Sequence, residues 1–198
     1  MKHLKMIGLA LAVAAAFMAF AGSASAAPTL TSPTGTEYTG TLTATASGSV
    51  LFKATFANIT CTGSTVSGNI STSNETHASG SITTFSFSGC SATTDLLKNA
   101  DGTYGSLTIN QKGEIFGSNS RFTFETAFTH CVFSTVTNTK VGAVTPSSSL
   151  GGKTAVMHIN AFLPYSAESR SSQFICGSTL TWTVSSYTIN NPDVVNLA

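Results

Sequence analysis

Short segments in which apolar and polar side chains alternate recur along this chain, and this alternation restricts the fold more than any other feature of the sequence. An apolar residue occupies every second position in residues 50–56, 154–163 and 180–184. Because successive side chains of a strand point to opposite faces, a period of two predicts strands that bury one face. About ten such segments, separated by frequent turn residues, predict an all-β chain built as an antiparallel β-sandwich or barrel.

Turn residues between neighbouring segments predict which strands pair. Residues 107–111 should form a hairpin with residues 114–116 across a Lys-Gly turn. Residues 132–137 should form a second hairpin with residues 140–145 across an Asn-Thr turn. Both linkers have the short polar composition that is typical of tight turns. Residues 95–99 are the one stretch with helical character.

Three further segments give local expectations. Strict alternation places Phe122, Phe124 and Phe128 on one face of a single strand. Residues 71–80 are polar and rich in Ser, Thr and Gly, which predicts a loop. Residues 194–197 predict a last strand at the edge of the sheet. A free edge strand exposes unpaired backbone groups, so it is able to pair with a second subunit.

The first 26 residues have the layout of a secretory signal peptide. Lys2 and Lys5 precede an uncharged apolar run over residues 6–21, and Ala24-Ser25-Ala26 supplies small residues for cleavage. The run is too short to span a membrane comfortably, so no integral membrane segment is expected after removal of the leader. We therefore expect a bacterial secreted protein, extracellular or at the cell surface, or periplasmic in a Gram-negative cell.

The remainder of the chain divides into a short arm and one domain. Residues 27–36 are rich in Pro, Thr and Ser and predict a flexible N-terminal arm, and residues 37–198 predict a single all-β domain. Without the leader, seven basic side chains face eight acidic ones, among 26 Ser and 32 Thr. So little charge offers no electrostatic attraction for nucleic acid, and the hydroxyl groups supply the polar surface instead.

Four cysteines remain after cleavage: Cys61, Cys90, Cys131 and Cys176. An even number in an exported chain predicts two disulfides, for which three connectivities are possible. We expect Cys61–Cys90 and Cys131–Cys176, because each closes a moderate loop between neighbouring strands. Zinc sites need cysteines or histidines at short spacing, and these cysteines are 29 to 45 residues apart. No metal and no other cofactor is expected.

Motifs for catalysis are weak. The chain has no Gly-x-Ser-x-Gly motif of a serine hydrolase. His77, His130 and His158 lack the spacing of a metal-binding pair on a strand or a helix. Glu114 and Glu125 flank a predicted turn, and they would supply the two carboxyl groups of a glycoside hydrolase if the turn placed them face to face. We expect a protein that is not an enzyme, with glycoside hydrolysis as the lesser alternative.

Aromatic residues near the C-terminus suggest a ligand-binding surface. Trp182, Tyr187 and Tyr165 would stack on a sugar ring or an apolar molecule if they lined a groove, although Trp182 also shares the apolar face of Leu180 and Val184. The leading expectation is a structural or interaction protein of the cell surface, envelope or extracellular matrix, with itself or matrix components as partners. The alternative is an extracellular binding module for a polysaccharide or a hydrophobic compound.

Motifs around the cysteines are spread over most of the mature chain: Ile59-Thr60-Cys61, Gly68-Asn69-Ile70, Phe87-Ser88-Gly89-Cys90, His130-Cys131-Val132-Phe133, Phe174-Ile175-Cys176-Gly177-Ser178, Trp182 and Asn191-Pro192. This pattern resembles a group of uncharacterised Ser/Thr-rich secreted β-proteins that recur in actinobacteria. The Phe-Ser-Gly-Cys motif and the hydroxyl-rich composition are also similar to secreted activators of alkane oxidation. Both resemblances imply an extracellular, surface-associated protein, and neither carries a functional residue onto this sequence.

Overall fold

The structure is a computed structural model that describes residues 30–31, 36–73, 76–146, 155–191 and 196–197. The predicted signal peptide lies outside these ranges, as does most of the predicted N-terminal arm. No helix in the described ranges is long and apolar enough to cross a membrane.

The regular secondary structure of the described residues consists of strands and one turn of helix. In chain order the elements are β1 (Leu30–Thr31), β2 (Gly40–Ala46), β3 (Val50–Lys53), β4 (Asn58–Cys61), β5 (Gly63–Ser73), β6 (His77–Ser88), β7 (Thr93–Leu97), β8 (Ser106–Asn110), β9 (Glu114–Ser118), β10 (Arg121–Glu125), β11 (His130–Ser134), β12 (Thr139–Pro146), β13 (Ala155–Pro164), α1 (Gln173–Cys176), β14 (Thr179–Asn191) and β15 (Asn196–Leu197). The predicted all-β class is confirmed.

Eight antiparallel strands form a closed ring. Their order is β2, β5, β6, β8, β9, β12, β13 and β14, and β14 closes the ring because it pairs with both β13 and β2. The first half of β14 also pairs with β3, and β4 extends the sheet beyond β3. The side chains that point into the ring therefore face one another across a shared interior.

A second sheet of three strands, in the order β11, β10 and β7, packs against the ring. Phe124 of β10 meets Phe52 of β3 edge-on, with ring centroids 4.9 Å apart. Phe122 of β10 lies 5.0 Å from Trp182 of β14 and 6.1 Å from Phe85 of β6, measured between ring centroids. An aromatic cluster thus joins the two sheets, in the tilted and edge-on geometries that aromatic pairs favour.

The alternation in β13 is reproduced in the structure. Ala155, Met157, Ile159, Ala161 and Leu163 are all buried, as the period of two predicts. The same rule holds in β14, where the apolar positions are buried between neighbouring threonines. The hairpin predicted for residues 107–111 and 114–116 is also confirmed, since β8 pairs directly with β9.

The second predicted hairpin, between residues 132–137 and 140–145, is wrong. β11 pairs with β10, whereas β12 pairs with β9 and β13. Cys131, Val132 and Phe133 are all buried, so both faces of β11 are covered. The backbone of Val132 is hydrogen-bonded to Ser166 and Ser169, which occupy the side of β11 where the predicted hairpin partner would lie.

Two local expectations also require correction. Residues 95–99 are not helical, because most of them belong to β7, which pairs with β10. Residues 71–80 are not a loop over most of their length, because β5 runs to Ser73 and β6 starts at His77. Ser73 is buried and its hydroxyl donates to the carbonyl oxygen of Leu30 at 2.9 Å. Hydroxyl-rich strands share their composition with loops, which explains the error.

Phe128 departs from its predicted place. β10 ends at Glu125, and the backbone N–H of Thr126 donates to the carbonyl oxygen of Thr129 at 3.0 Å, which closes a turn. Phe128 lies in that turn and is 93% exposed, whereas Phe122 and Phe124 are buried as predicted.

The strand at the C-terminus is paired within the chain. Asn196–Leu197 forms β15 and pairs with Leu30–Thr31 in a two-stranded sheet, so these two residues form an edge strand of that small sheet rather than of the ring. Residues 194–195 lie outside the described ranges.

Both predicted disulfides are present. Cys61 is bonded to Cys90, and Cys131 is bonded to Cys176. The first joins the end of β4 to the segment after β6, and the second joins β11 to α1. Within the described residues no cysteine is free.

Candidate ligand-binding site

The interior of the closed ring contains unfilled space. One cavity has a volume of about 50 Å³, and a second has a volume of about 30 Å³. Val66, Ile82, Leu107 and Met157 line both cavities. The two cavities are therefore neighbours in the interior of the ring.

The first cavity has an almost wholly apolar lining. Its hydrophobic residues include Leu30, Leu42, Ile70, Ala78, Ile109, Val144 and Ile189. Leu30 comes from β1, which lies outside the ring, and it is only 2% exposed. The carbonyl oxygen of Leu30 accepts hydrogen bonds from the Ser73 hydroxyl and the Tyr38 backbone N–H. β1 thus closes part of this end of the cavity.

Close backbone approach keeps part of the wall free of side chains. Gly80 of β6 lines the first cavity, and a Cβ at this position would lie 2.3 Å from the carbonyl oxygen of Asn69 in β5. A substitution there would force the two strands apart, because the obstructing atom belongs to the backbone. The glycine is therefore required by the pairing of β5 with β6.

The second cavity is aromatic on one side and carries a few polar groups. Trp182 and Tyr187 line it together with Phe85 and Phe122, and the hydroxyl residues Ser120 and Thr135 complete it. The backbone N–H of Ser120 donates to the Thr135 hydroxyl at 2.8 Å. The Tyr187 hydroxyl donates to the Ser64 hydroxyl, also at 2.8 Å.

The structure brings two of the three predicted ligand-binding residues together. Trp182 is 5% exposed and Tyr187 is 1% exposed, so both lie in the core on the cavity wall rather than in a surface groove. Tyr165 lies elsewhere, half-buried beside β11, where its hydroxyl donates to the carbonyl oxygen of Ser171 at 3.0 Å. Trp182 and Tyr187 share the inward face of β14, which the alternation already indicated for Trp182.

The indole nitrogen of Trp182 is an exception to the hydrogen bonding of this core. Its Nε1 is buried and has no hydrogen-bond partner among the described residues. Buried polar groups nearly always have a partner, and an unpaired one costs about 1–3 kcal/mol. A hydrogen-bond acceptor beside Nε1 would satisfy this donor.

Alkaline pH should unfold the protein partly through Tyr187. Burial raises the pKa of Tyr187 to about 12 from 10.0, although the hydrogen bond with Ser64 lowers it. Below pH 10 both the folded and unfolded states keep the phenol proton, so the stabilisation is complete. Between pH 10 and about 12 only the unfolded state ionises, and the free energy of unfolding should fall by about 3 kcal/mol.

The comparison for this pH prediction is Tyr187→Phe. We expect the variant to lose that alkaline slope, while its stability at neutral pH falls by about 1 kcal/mol through the lost Ser64 hydrogen bond. Burial also raises the pKa of Tyr38, but that contribution is common to both proteins and cancels. Urea unfolding at a series of pH values measures the difference, and equal slopes in the two proteins would contradict the prediction.

A separate polar cleft opens beside β10 and has a volume of about 700 Å³. Its polar lining consists of Asn99, Asp101, Asn119, Arg121, Ser134, Thr135, Thr137, Ser166 and Glu168. Arg121 Nη1 contacts Glu168 Oε1 at 3.0 Å, and Nη2 donates to the carbonyl oxygen of Lys98 at 2.8 Å. The lining contains no aromatic side chain on which a sugar ring would stack.

The two glutamates considered for glycoside hydrolysis lie in different sheets. β9 pairs with β8 and β12, whereas β10 pairs with β7 and β11, so Glu114 and Glu125 do not face each other across a hairpin. Lys140 donates to Glu114 at 2.6 Å and Asn110 donates at 2.8 Å, and these bonds lower the pKa of Glu114. Glu125 pairs with His130 at 3.3 Å. A lowered pKa is the opposite of what a general acid needs.

The side chains that could bind a metal ion do not form a cluster among the described residues. The described part of the chain contains no group of three or more His, Cys, Asp or Glu side chains that would hold a metal ion. His158 of β13 is exposed, as its alternation with Met157 and Ile159 predicts, and it contacts the Ser185 carbonyl oxygen and the Thr145 hydroxyl.

Sequence reasoning did not find most of the cavity. Leu30 fell in the predicted arm and Ala78 and Gly80 in a predicted loop, so none of them was considered as lining a site. Comparison with models of protein families, with curated proteins and with solved structures finds no match for this chain.

Proposed function

We propose that this protein is an extracellular, non-catalytic module that binds a small hydrophobic molecule inside the closed ring of strands. The observation that carries the proposal is the pair of neighbouring cavities, which share four apolar lining residues. Ligand sites are concave, mostly apolar and equipped with a few polar groups, and this interior has that character. No charged side chain lines either cavity.

The small size of the two cavities favours a small, uncharged ligand. Each methylene group removed from water contributes about 0.8 kcal/mol, so a chain of several carbons supplies enough free energy for binding. An alkyl ligand also needs no charged partner, in agreement with the lining.

Of the two ligand classes that the sequence left open, the hydrophobic compound receives more support. Stacking on a polysaccharide requires aromatic faces at the surface, whereas Trp182 and Tyr187 are buried. The interior position of these rings suits a ligand that leaves water completely.

Filling the first cavity should abolish binding. Ala78 is buried and lines that cavity, so Ala78→Leu adds three carbon atoms to the space. We expect the affinity for N-phenylnaphthylamine, a small apolar fluorophore, to fall at least about tenfold. The folded state should keep its stability, since the added carbons fill existing space.

The control for this prediction is Ala127→Leu, the same substitution in the exposed turn after β10. Its affinity for the fluorophore should equal that of the wild type. If Ala78→Leu and Ala127→Leu bind equally well, the fluorophore does not occupy the interior. If the wild type itself binds neither the fluorophore nor any alkyl compound, the proposed function is refuted.

A structural or interaction role is the second proposal, because large apolar side chains are exposed. Phe128 and Phe174 are 93% and 94% exposed, and Phe162 is also exposed. Exposed hydrophobic surface often marks a site of association. Light scattering of the mature protein over a range of concentrations tests self-association directly, and a monomer at every concentration would argue against it.

A further inference from the structure

The two most exposed phenylalanines of the described residues lie at the same end of β11. Phe128 lies in the turn between β10 and β11, and Phe174 lies in α1. Both side chains are almost completely exposed, and Ile175, the neighbour of Phe174 in the chain, is also exposed. Single exposed apolar residues are common on proteins, whereas several at one place mark an interaction site.

Hydrogen bonds to β11 place the two phenylalanines at this end. His130 donates its backbone N–H to the Ser171 hydroxyl at 2.9 Å, and its carbonyl oxygen accepts from the Ser171 backbone N–H at 3.1 Å. The carbonyl oxygen of Val132 accepts from the Ser166 backbone N–H at 2.9 Å, so the two segments run antiparallel. One phenylalanine lies two residues before His130 and the other three residues after Ser171. Both therefore lie beyond this pairing in the same direction.

The disulfide between Cys131 and Cys176 fixes α1 against the start of β11. The Cα atoms of the two cysteines are 5.6 Å apart, and both side chains are fully buried. Phe174 lies two positions before Cys176, about 200° around the helix axis, so its ring lies on the side away from β11. The covalent link holds this ring in place before any partner binds, which lowers the entropy lost on binding.

Residues 126–129 and 171–175 form what we call the apolar tip, and it is uncharged. Its two segments read Thr-Ala-Phe-Thr and Ser-Ser-Gln-Phe-Ile. The charged residues that border it in the chain, Glu125 and Arg170, are both exposed and have opposite signs. Since neither sign dominates, the tip offers no electrostatic attraction to a nucleic acid or to a highly charged protein.

We propose that the apolar tip inserts Phe128 and Phe174 into the surface of a lipid bilayer, so that the protein binds a membrane without spanning it. The two rings offer roughly 300–500 Å² together, whereas a stable protein–protein interface buries about 800 Å² on each partner. A bilayer accepts protruding apolar side chains without a complementary pocket, so a smaller area is enough. This inference rests on the second proposed function, the interaction role, and names its partner. It is independent of ligand binding in the interior.

The test is flotation of the mature wild-type protein with vesicles of pure phosphatidylcholine, and the wild type should float with them. Phe128→Ala and Phe174→Ala should each lower the partition coefficient about tenfold, and the double variant should lower it about a hundredfold. The effects should combine in this way because each ring transfers its own apolar area from water. Both side chains are exposed, so the variants should keep the stability of the wild type.

Val136→Ala is the matched control. Val136 is also an exposed apolar residue, but it lies past the opposite end of β11, two residues after Ser134. Its partition coefficient should equal that of the wild type. Vesicles of equal parts phosphatidylglycerol and phosphatidylcholine, or a higher salt concentration, should change wild-type binding by less than about threefold, because the apolar tip is uncharged.

Three results would overturn the inference. The first is a wild type that floats with neither kind of vesicle, and the second is a double variant that floats as well as the wild type. The third is binding to anionic vesicles alone that disappears in salt, since attraction between charges would then replace insertion.

The same variants separate this inference from both proposed functions. If the wild type self-associates in light scattering and the double variant does not, while neither floats, the apolar tip binds a second copy of the chain. The interaction role then stands and the lipid inference is overturned. Ala78→Leu should float like the wild type, so a failure of ligand binding in the interior leaves the flotation result unaffected.

Discussion

Removing the disulfide between Cys131 and Cys176 is expected to lower the free energy of unfolding by about 4 kcal/mol. The bond closes a loop with a sequence separation of 45 residues, so its loss returns much conformational entropy to the unfolded chain. Both cysteines are fully buried, and Cys131→Ala with Cys176→Ala is therefore the appropriate double variant, because serine would bury two hydroxyl groups. Urea unfolding of the oxidised wild type and the double variant measures the difference.

The same disulfide should also hold α1 in place. Gln173–Cys176 is one turn of helix, and Ser172 at its N-cap makes no side-chain cap hydrogen bond. A single turn is unstable without tertiary contacts. Amide hydrogen exchange in α1 should accelerate in the double variant far more than in β13. A loss of stability below about 1 kcal/mol, with α1 still protected, would show that packing alone orders this region.

The strands that the sequence predicted correctly are those that bury one face. In β13 the inward positions, such as Met157 and Ile159, alternate with exposed His158, and this difference is visible in the sequence. β11 lacks such a contrast, because Val132 and Phe133 are both buried although they point to opposite faces. Periodicity identifies a strand that has one solvent-exposed face, and it fails where other parts of the chain cover both faces.

The cavity could not be predicted for a different reason. Alternation shows which side chains point inward, but the space left between them depends on the number of strands in the ring and their stagger. Leu30 illustrates the point. It lines the cavity, and it belongs to a strand that pairs with Leu197 at the far end of the chain. No local pattern contains that information.

Trp182 was predicted in part. Its position between Leu180 and Val184 correctly placed the ring on a buried face. Whether a buried indole nitrogen finds a partner depends on the elements that pack against it, here β3, β6 and β10. The sequence therefore predicted the burial of this residue and gave no sign of its unpaired donor.

The second prediction with a large expected effect concerns the packing of the second sheet against the ring. Phe124→Ala should lower the free energy of unfolding by about 4 kcal/mol, within the range for deleting a buried phenylalanine. Phe124 is fully buried, and its ring contacts those of Phe52 and Phe133 at centroid distances of 4.9 and 6.1 Å. The substitution would leave a cavity between the two sheets. The sheets cannot close over this cavity without a shift of the ring itself. Urea unfolding again provides the measurement.

Phe128→Ala is the matched control, because it makes the same substitution four residues further along the chain. Phe128 is almost completely exposed, so its loss should change the stability by less than about 0.5 kcal/mol. Phe124 lines neither interior cavity, and the folded fraction of Phe124→Ala should therefore bind N-phenylnaphthylamine with wild-type affinity. Equal stabilities for the two variants would mean that β10 is not packed on the ring. Weakened binding in Phe124→Ala would instead mean that the second sheet determines the shape of the cavity.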